Sequence, residues 1–132
     1  MKEALRAALL AAPGITGLVG QRIHWAALPR SMALPAIALH QISGVRDYQM
    51  NTPAHLVAAR VQADCWANSN KDASRVARAI NAAIGGYRGT VAGVLLHGAF
   101  LESEQDLTDV GGGAPAELLH RVSQDWIIWH AE

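Results

Sequence analysis

The chain contains one cysteine and one phenylalanine among its 132 residues. A single cysteine cannot form an internal disulfide, so the fold requires no oxidising compartment and we expect synthesis in the cytoplasm. The sequence has neither a CxxC pair nor an HExxH motif, which removes the common zinc-binding spacings. It also lacks a GxSxG elbow and a GxxxxGK[ST] loop, so the usual scaffolds of hydrolases and nucleotide-binding proteins are absent.

An excess of charge of either sign is also missing. Lys plus Arg and Asp plus Glu number 11 each. Without a net field the protein has little to hold a polyanion or an anionic membrane, so neither autonomous nucleic-acid binding nor membrane binding is expected. No apolar run approaches the roughly 18 residues that span a bilayer. A near-neutral chain that is 51% hydrophobic favours self-association instead.

The length fits one compact domain over residues 1–132. Apolar spacing predicts an N-terminal helix that ends at Pro13-Gly14, followed by a glycine-punctuated loop. A second helix is predicted after Ser69, which has capping-box spacing to Asp72, and it ends at Gly85-Gly86. Strands are predicted near residues 22–25, 36–48, 56–68, 94–107 and 118–130.

This order of elements predicts an α+β fold, with a single mostly antiparallel sheet of four to five strands packed against two helices. The last strand carries large apolar residues on both faces, so it belongs in the middle of the sheet. We therefore expect 56–68 and 118–130 to be antiparallel neighbours. That pairing would bring Arg60 close to Asp125, and Asp64 close to Arg121.

Side chains that could carry chemistry are scattered. Imidazoles suit metals and proton transfer, but strand histidines more often fill half-buried positions or contact another subunit. Cys65 shares its strand face with valines and alanines, which predicts a buried, inert thiol. No catalytic residue, metal site or cofactor is predicted. The six histidines are His24, His40, His55, His97, His120 and His130.

The most pointed charge pattern is Glu102, Glu104 and Asp106, with Asp109 just beyond. Alternation along a strand predicts that the first three project from one face. Three carboxylates on one face can bind a hard cation or transfer protons, whereas a row of this kind is more often a solvated surface. The sequence supplies no second cluster of ligands.

Four segments together carry a resemblance to a known family. The family is the tail terminator (tail completion, neck) proteins of long-tailed phages and phage-like gene transfer agents, and the resemblance covers most of the chain from Ala36 onward. It implies a structural virion protein and no enzyme. The segments are QISGVRDY at 41–48, LVAARVQADCWAN at 56–68, SNKDASRVARAINAAI at 69–84 and RVSQDWIIWH at 121–130.

The resemblance also implies a place and partners. The protein would be a homo-oligomer, a hexameric ring at the tail-neck junction of the virion or phage-like particle. This ring would cap the head-proximal end of the tail tube, end tube polymerisation and join the tail to the neck. It would contact the tail tube protein and the head-to-tail connector (stopper) protein, and DNA would pass through its lumen without sequence-specific binding.

Two groups of site residues follow from this implied ring. The acidic row Glu102, Glu104 and Asp106 is predicted to line the lumen, and exposed turn residues are predicted to contact other subunits or partners. Two alternatives stay open: a small α+β ligand-binding module and a histidine-based metalloenzyme. The predicted contact residues are Arg46, Asp47, Tyr48 and Asp109.

Overall fold

The computed structural model describes residues 1–26, 33–49, 52–110 and 118–131, with side chains except at 47–49, 52–55, 108–110 and 118–119. These residues form an α+β fold, as predicted, with one helix and one strand more than the predicted order. The elements are α1 Lys2–Leu10, α2 Pro13–Val19, β1 Ile23–Trp25, β2 Ala36–Gln49, β3 Thr52–Ala67, α3 Asn70–Ile84, β4 Gly89–Val91, β5 Val94–Val110 and β6 Leu118–Ala131.

The extra helix corrects the prediction for the N-terminal region. Pro13 was expected to end a helix and begin a loop, but α1 already ends at Leu10 and Pro13 opens α2. Proline suits the first turn of a helix because the N–H that it lacks has no partner inside the helix there. Ile15 and Val19, four residues apart, then fall on one side of α2 and are both buried.

The six strands form one sheet in the order β1-β2-β3-β6-β5-β4. Strand β6 lies between β3 and β5, which confirms its predicted central place. All neighbouring pairs are antiparallel except β1 and β2, which run parallel, so the sheet is mixed.

Strands β3 and β6 are antiparallel neighbours as predicted, but in a register two residues away from the expected one. Arg60 lies opposite Ile127 and Asp64 opposite Ser123. This register places the buried Val61 opposite the buried Trp126. Burying such side chains is worth more than a surface ion pair, so the core sets the register.

All three helices pack on one face of the sheet and share a single core with it. Alternate residues of β3, from Val57 to Ala67, are buried on this helix-covered face. The Ser69 hydroxyl caps α3 by accepting a hydrogen bond of 3.2 Å from the Asp72 N–H, as predicted. Just past the end of that helix, Gly86 adopts a left-handed φ of 74°. The other core residues include Leu5, Leu9, Ile15, Val19, Ile37, Leu39, Val76, Ile80, Leu96, Ala99, Val122 and Ile128.

Candidate functional site

A β-bulge divides the acidic row of β5 between the two faces of the sheet. Leu101 lies opposite Trp126 and Ser103 opposite Asp125, so the register shifts by one residue at Glu102. The prediction that all three carboxylates share one face is therefore wrong. No glycine marks the bulge, and nothing in the local sequence could have revealed it.

The carboxylates on either side of this bulge have different partners. Glu102 accepts a hydrogen bond of 3.3 Å from the Arg60 guanidinium, on the face that no described helix covers. Glu104 accepts one of 2.9 Å from the Gln124 amide, on the helix-covered face. Asp106 lies opposite the buried Val122 and shares the face of Glu104.

Gln124 is fully buried and connects three elements. Its Nε2 donates to Glu104 on β5 and, at 3.0 Å, to the Ala77 carbonyl on α3. Its Oε1 accepts a 3.1 Å hydrogen bond from the Trp126 indole N–H. Every polar atom of this side chain has a partner, so the network fixes β5, β6 and α3 relative to one another.

The uncovered face of the sheet has a polar end built around Asp64, which is only 2% exposed. Its carboxylate accepts a 3.0 Å hydrogen bond from Gln62 and lies 3.5 Å from Arg121 Nη1 and 3.6 Å from His40 Nε2. The Arg121 guanidinium also stacks over the Trp66 ring, 4.9 Å from its centroid. The predicted proximity of Asp64 and Arg121 is thus confirmed, whereas Arg60 pairs with a glutamate of β5.

The other end of the uncovered face is apolar. Val45 lies opposite Ala58, which in turn lies opposite Trp129, and the neighbouring row pairs Ile127 with Phe100. Val45 is 65% exposed and Phe100 52% exposed. Exposed apolar groups clustered in this way mark contact surfaces in soluble proteins.

As far as the structure describes the chain, the long strands β2 and β5 are open along most of the edges that face away from the middle of the sheet. Strand β1 pairs only with Ile37–Leu39 of β2, and β4 only with Val94–Leu96 of β5. Within the described parts of the chain, no other strand pairs with these edges. The β2 residues 41–46 are all exposed. An open strand edge is a template for pairing with another chain.

Of the predicted contact residues, Arg46 is exposed at this edge of β2. It lines a cavity of about 410 Å³ on the helix-covered side, together with Lys2, Val57 and His130. The backbones of Asp47 and Tyr48 belong to β2 and that of Asp109 to β5, but their side chains lie outside the described residues. A second cavity, of about 280 Å³, is lined mostly by alanines of α1, of the α1–α2 connection and of α3.

The remaining candidate groups are dispersed. His24, His40 and His120 are half-buried, His97 is exposed and His130 is buried, while the His55 side chain lies outside the described residues. The described side chains include no group of three or more His, Cys, Asp or Glu residues that could hold a metal ion. In the same residues, no helix is long and apolar enough to cross a membrane.

Cys65 is fully buried, as predicted. Burial raises the pKa of its thiol far above the usual value, and the negative charges of Asp64 and Glu104 raise it further. The thiol therefore remains protonated at neutral pH, which is the inert state expected from its position on an apolar strand face.

Known proteins share this architecture. No curated protein matches the sequence. The fold matches a chain in the structure titled "Virion of native gene transfer agent (GTA) particle", with a TM-score of 0.74 and 14% sequence identity. That match covers 100% of this chain and 95% of the other. A family profile described as "Tail completion protein gp17" matches residues 3–131, and the chain therefore belongs to this tail completion family.

Proposed function

We propose that this protein forms a hexameric ring that caps the head-proximal end of a tail tube, ends tube polymerisation and joins the tail to the neck. Its partners are the tail tube protein below and the head-to-tail connector (stopper) protein above. Membership of the tail completion family supports a structural role in a phage tail or tail-like particle. The observation that carries the proposal is the sheet face that no described helix covers, bordered by two open strand edges.

This uncovered face is suited to a lumen through which DNA passes. The helices occupy the opposite face and would lie on the outside of a ring. Among the described residues, the arginines on the uncovered face are Arg60 and Arg121, and each lies within 3.5 Å of a carboxylate oxygen. Paired guanidinium groups bind phosphate less well, so moving DNA would not be held. Of the acidic row, Glu102 lies on this face, whereas Glu104 and Asp106 lie on the other.

The apolar end of the same face supplies a contact for a neighbouring ring in the tail. Phe100 lies beside Ile127, and Trp129 and Ala58 continue this apolar surface across β6 and β3 at one end of the strands. A ring that exposes apolar groups at one rim can bury them against the end of a tube. Burying apolar area at about 25 cal/mol per Å² then favours capping over a free tube end.

The capping role can be tested on tail tubes assembled in vitro. Purified tail tube protein is polymerised with and without this protein, and tube length is measured by electron microscopy. We expect substoichiometric amounts to shorten the tubes and to appear as a ring at one end only. A Phe100→Asp variant should lose this effect, whereas Glu3→Lys on the exposed part of α1 should retain it. Unchanged tube lengths with the wild-type protein would refute capping.

The lumen assignment has a separate test in particles that deliver DNA. The Glu102→Lys/Asp125→Lys double variant places two lysines on the uncovered face and releases Arg60 from its carboxylate partner. We expect normal assembly with slower DNA delivery, because each new cation adds a phosphate contact that moving DNA must break. Glu3→Lys/Asp72→Lys, on the helical side, makes the same change in net charge and serves as the control. Equal delivery by both variants would contradict the assignment.

A further inference from the structure

The exposed apolar residues and the open edges coincide. In the described chain, the large apolar side chains that remain exposed are Ile42, Val45 and Phe100, and all three lie on β2 or β5. In a monomeric protein a long strand edge is usually covered by another strand, a helix or a loop. Among the residues that the structure describes, these edges are covered only by β1 and β4, which are three residues long and leave most of each edge open.

The directions of β2 and β5 allow these strands to pair between copies. Pairings of β2 with β3, β3 with β6, and β6 with β5 are each antiparallel, so β2 and β5 run in opposite directions. Copies related by a simple rotation can therefore join β5 of one to β2 of the next as an antiparallel pair. We infer that the subunits of the ring are joined in this way into one continuous antiparallel sheet, an inference that rests on the ring proposed above. Because the β2 edge pairs with the β5 edge of another copy, both edges of every subunit are paired only when the ring closes.

Hydrogen bonds inside the chain identify which β2 residues face outward at this joint. The Ile37 N–H donates to the Arg22 carbonyl of the β1 segment, and the Leu39 carbonyl accepts from the Ala26 N–H. The backbone groups of these β2 residues thus point away from β3. Backbone groups along β2 point alternately toward β3 and away from it. When the register shift after Gln41 is included, the next residues whose backbone points away from β3 are Gly44 and Arg46.

The same reasoning applies to β5. The Ala99 carbonyl accepts a hydrogen bond from the Gly86 N–H, so the backbone of Ala99 points away from β6. Through the bulge at Glu102, the alternation continues outward at Glu104 and Asp106. These two carboxylates therefore lie at the open edge, on the helix-covered face. That is also the face on which Arg46 lines its cavity.

One register between copies pairs complementary side chains on both faces of the sheet. In an antiparallel pair, outward-pointing residues face each other, which brings Arg46 opposite Glu104 or Asp106. The register with Asp106 also places Val45 opposite Leu107 on the uncovered face. This register pairs a cation with an anion on the helix-covered face and two apolar side chains on the uncovered face. We therefore assign it to the joint. Glu104 and Asp106 are then subunit contacts.

Disulfide trapping tests the register directly. On a Cys65→Ala background, Val45→Cys with Leu107→Cys would occupy a pair in which the Cα atoms are about 4.5–5.5 Å apart. Within one chain, β3 and β6 separate these positions, so three strand spacings of about 4.8 Å prevent an internal bond. We expect mild oxidation to give a ladder of cross-linked oligomers on non-reducing gels. Val45→Cys with Gln105→Cys should cross-link far less, because Gln105 lies two residues from the position opposite Val45.

Charge exchange supplies the second measurement, by light scattering or native mass spectrometry. Arg46→Glu should weaken the ring by on the order of tenfold or more, and adding Asp106→Arg should restore it. A ring that survives Arg46→Glu and does not cross-link through Val45→Cys/Leu107→Cys would overturn this joint while leaving the capping role intact. A wild-type protein that forms no ring, alone or on tube ends, would instead count against the proposed function.

Discussion

Replacing Gln124 should reveal how much a fully buried polar network contributes to this small domain. In Gln124→Leu, the Trp126 indole N–H loses its acceptor inside the core, at a cost of about 1–3 kcal/mol. The hydrogen bond to Glu104 is also lost, but that carboxylate is exposed and water replaces the partner, so about 1 kcal/mol or less is expected. The Ala77 carbonyl keeps its partner within α3 and adds little.

Together these losses predict a decrease of about 1–4 kcal/mol in the free energy of unfolding. Urea denaturation followed by circular dichroism measures it without depending on the fluorescence of Trp126. With a slope of about 2 kcal/mol per M, the midpoint should fall by roughly 0.5–2 M. Protein concentration must be held constant, because association adds apparent stability.

Gln105→Leu is the matched control, since Gln105 lies on the neighbouring strand β5 and is exposed. Its effect should stay within about 0.5 kcal/mol. Glu104→Gln retains an acceptor for the Gln124 amide and should cost less than about 1 kcal/mol. If Gln124→Leu were as stable as the wild type, or no worse than Gln105→Leu, the network would not stabilise the fold in this way.

Three further outcomes are expected. Because burial raises the pKa of the Cys65 thiol above the ordinary value of 9.0, unfolding releases its proton above about pH 9, and stability should fall there by about 1.4 kcal/mol per pH unit. Comparing urea midpoints at pH 8 and 10 should show a smaller decrease in Cys65→Ala. Ser69→Ala should lower the free energy of unfolding in urea by about 1 kcal/mol, because α3 loses its cap. Ser74→Ala, inside the same helix, removes no cap and should not have this effect. Asp64→Ala should cost at least about 2 kcal/mol in the same assay, because it removes a buried carboxylate that contacts Gln62, His40 and Arg121; a near-neutral result would contradict the role given to this cluster.

The elements that were predicted well carry strong local signals. In strand β3 every second residue from Val57 to Ala67 is buried under the helices, and α3 begins at a serine cap and ends before two glycines. The central place of β6 also followed from the sequence, because large apolar residues on both strand faces require cover on both sides. The family resemblance came from these segments together with residues 41–48, and the family profile confirms it.

The errors fall where local signals are ambiguous. Pro13 ends a helix in one context and begins one in another, and only the packing of Ile15 and Val19 decided that a helix begins there. The short strand β1 was predicted, whereas β4 was missed because three residues are too few to show any periodicity. The β3–β6 register was predicted from charges, but it was set by the buried pair Val61 and Trp126.

The sequence by itself determined the class of fold, the order of its main elements, the inert cysteine and the family. These properties depend on local periodicity, capping and composition, which neighbouring residues specify together. Only the tertiary structure decided which carboxylates share a face, because one bulge at Glu102 reverses every side chain beyond it. It also decided that the long strands β2 and β5 lie at open edges, since strand order depends on long-range pairing that no local pattern records.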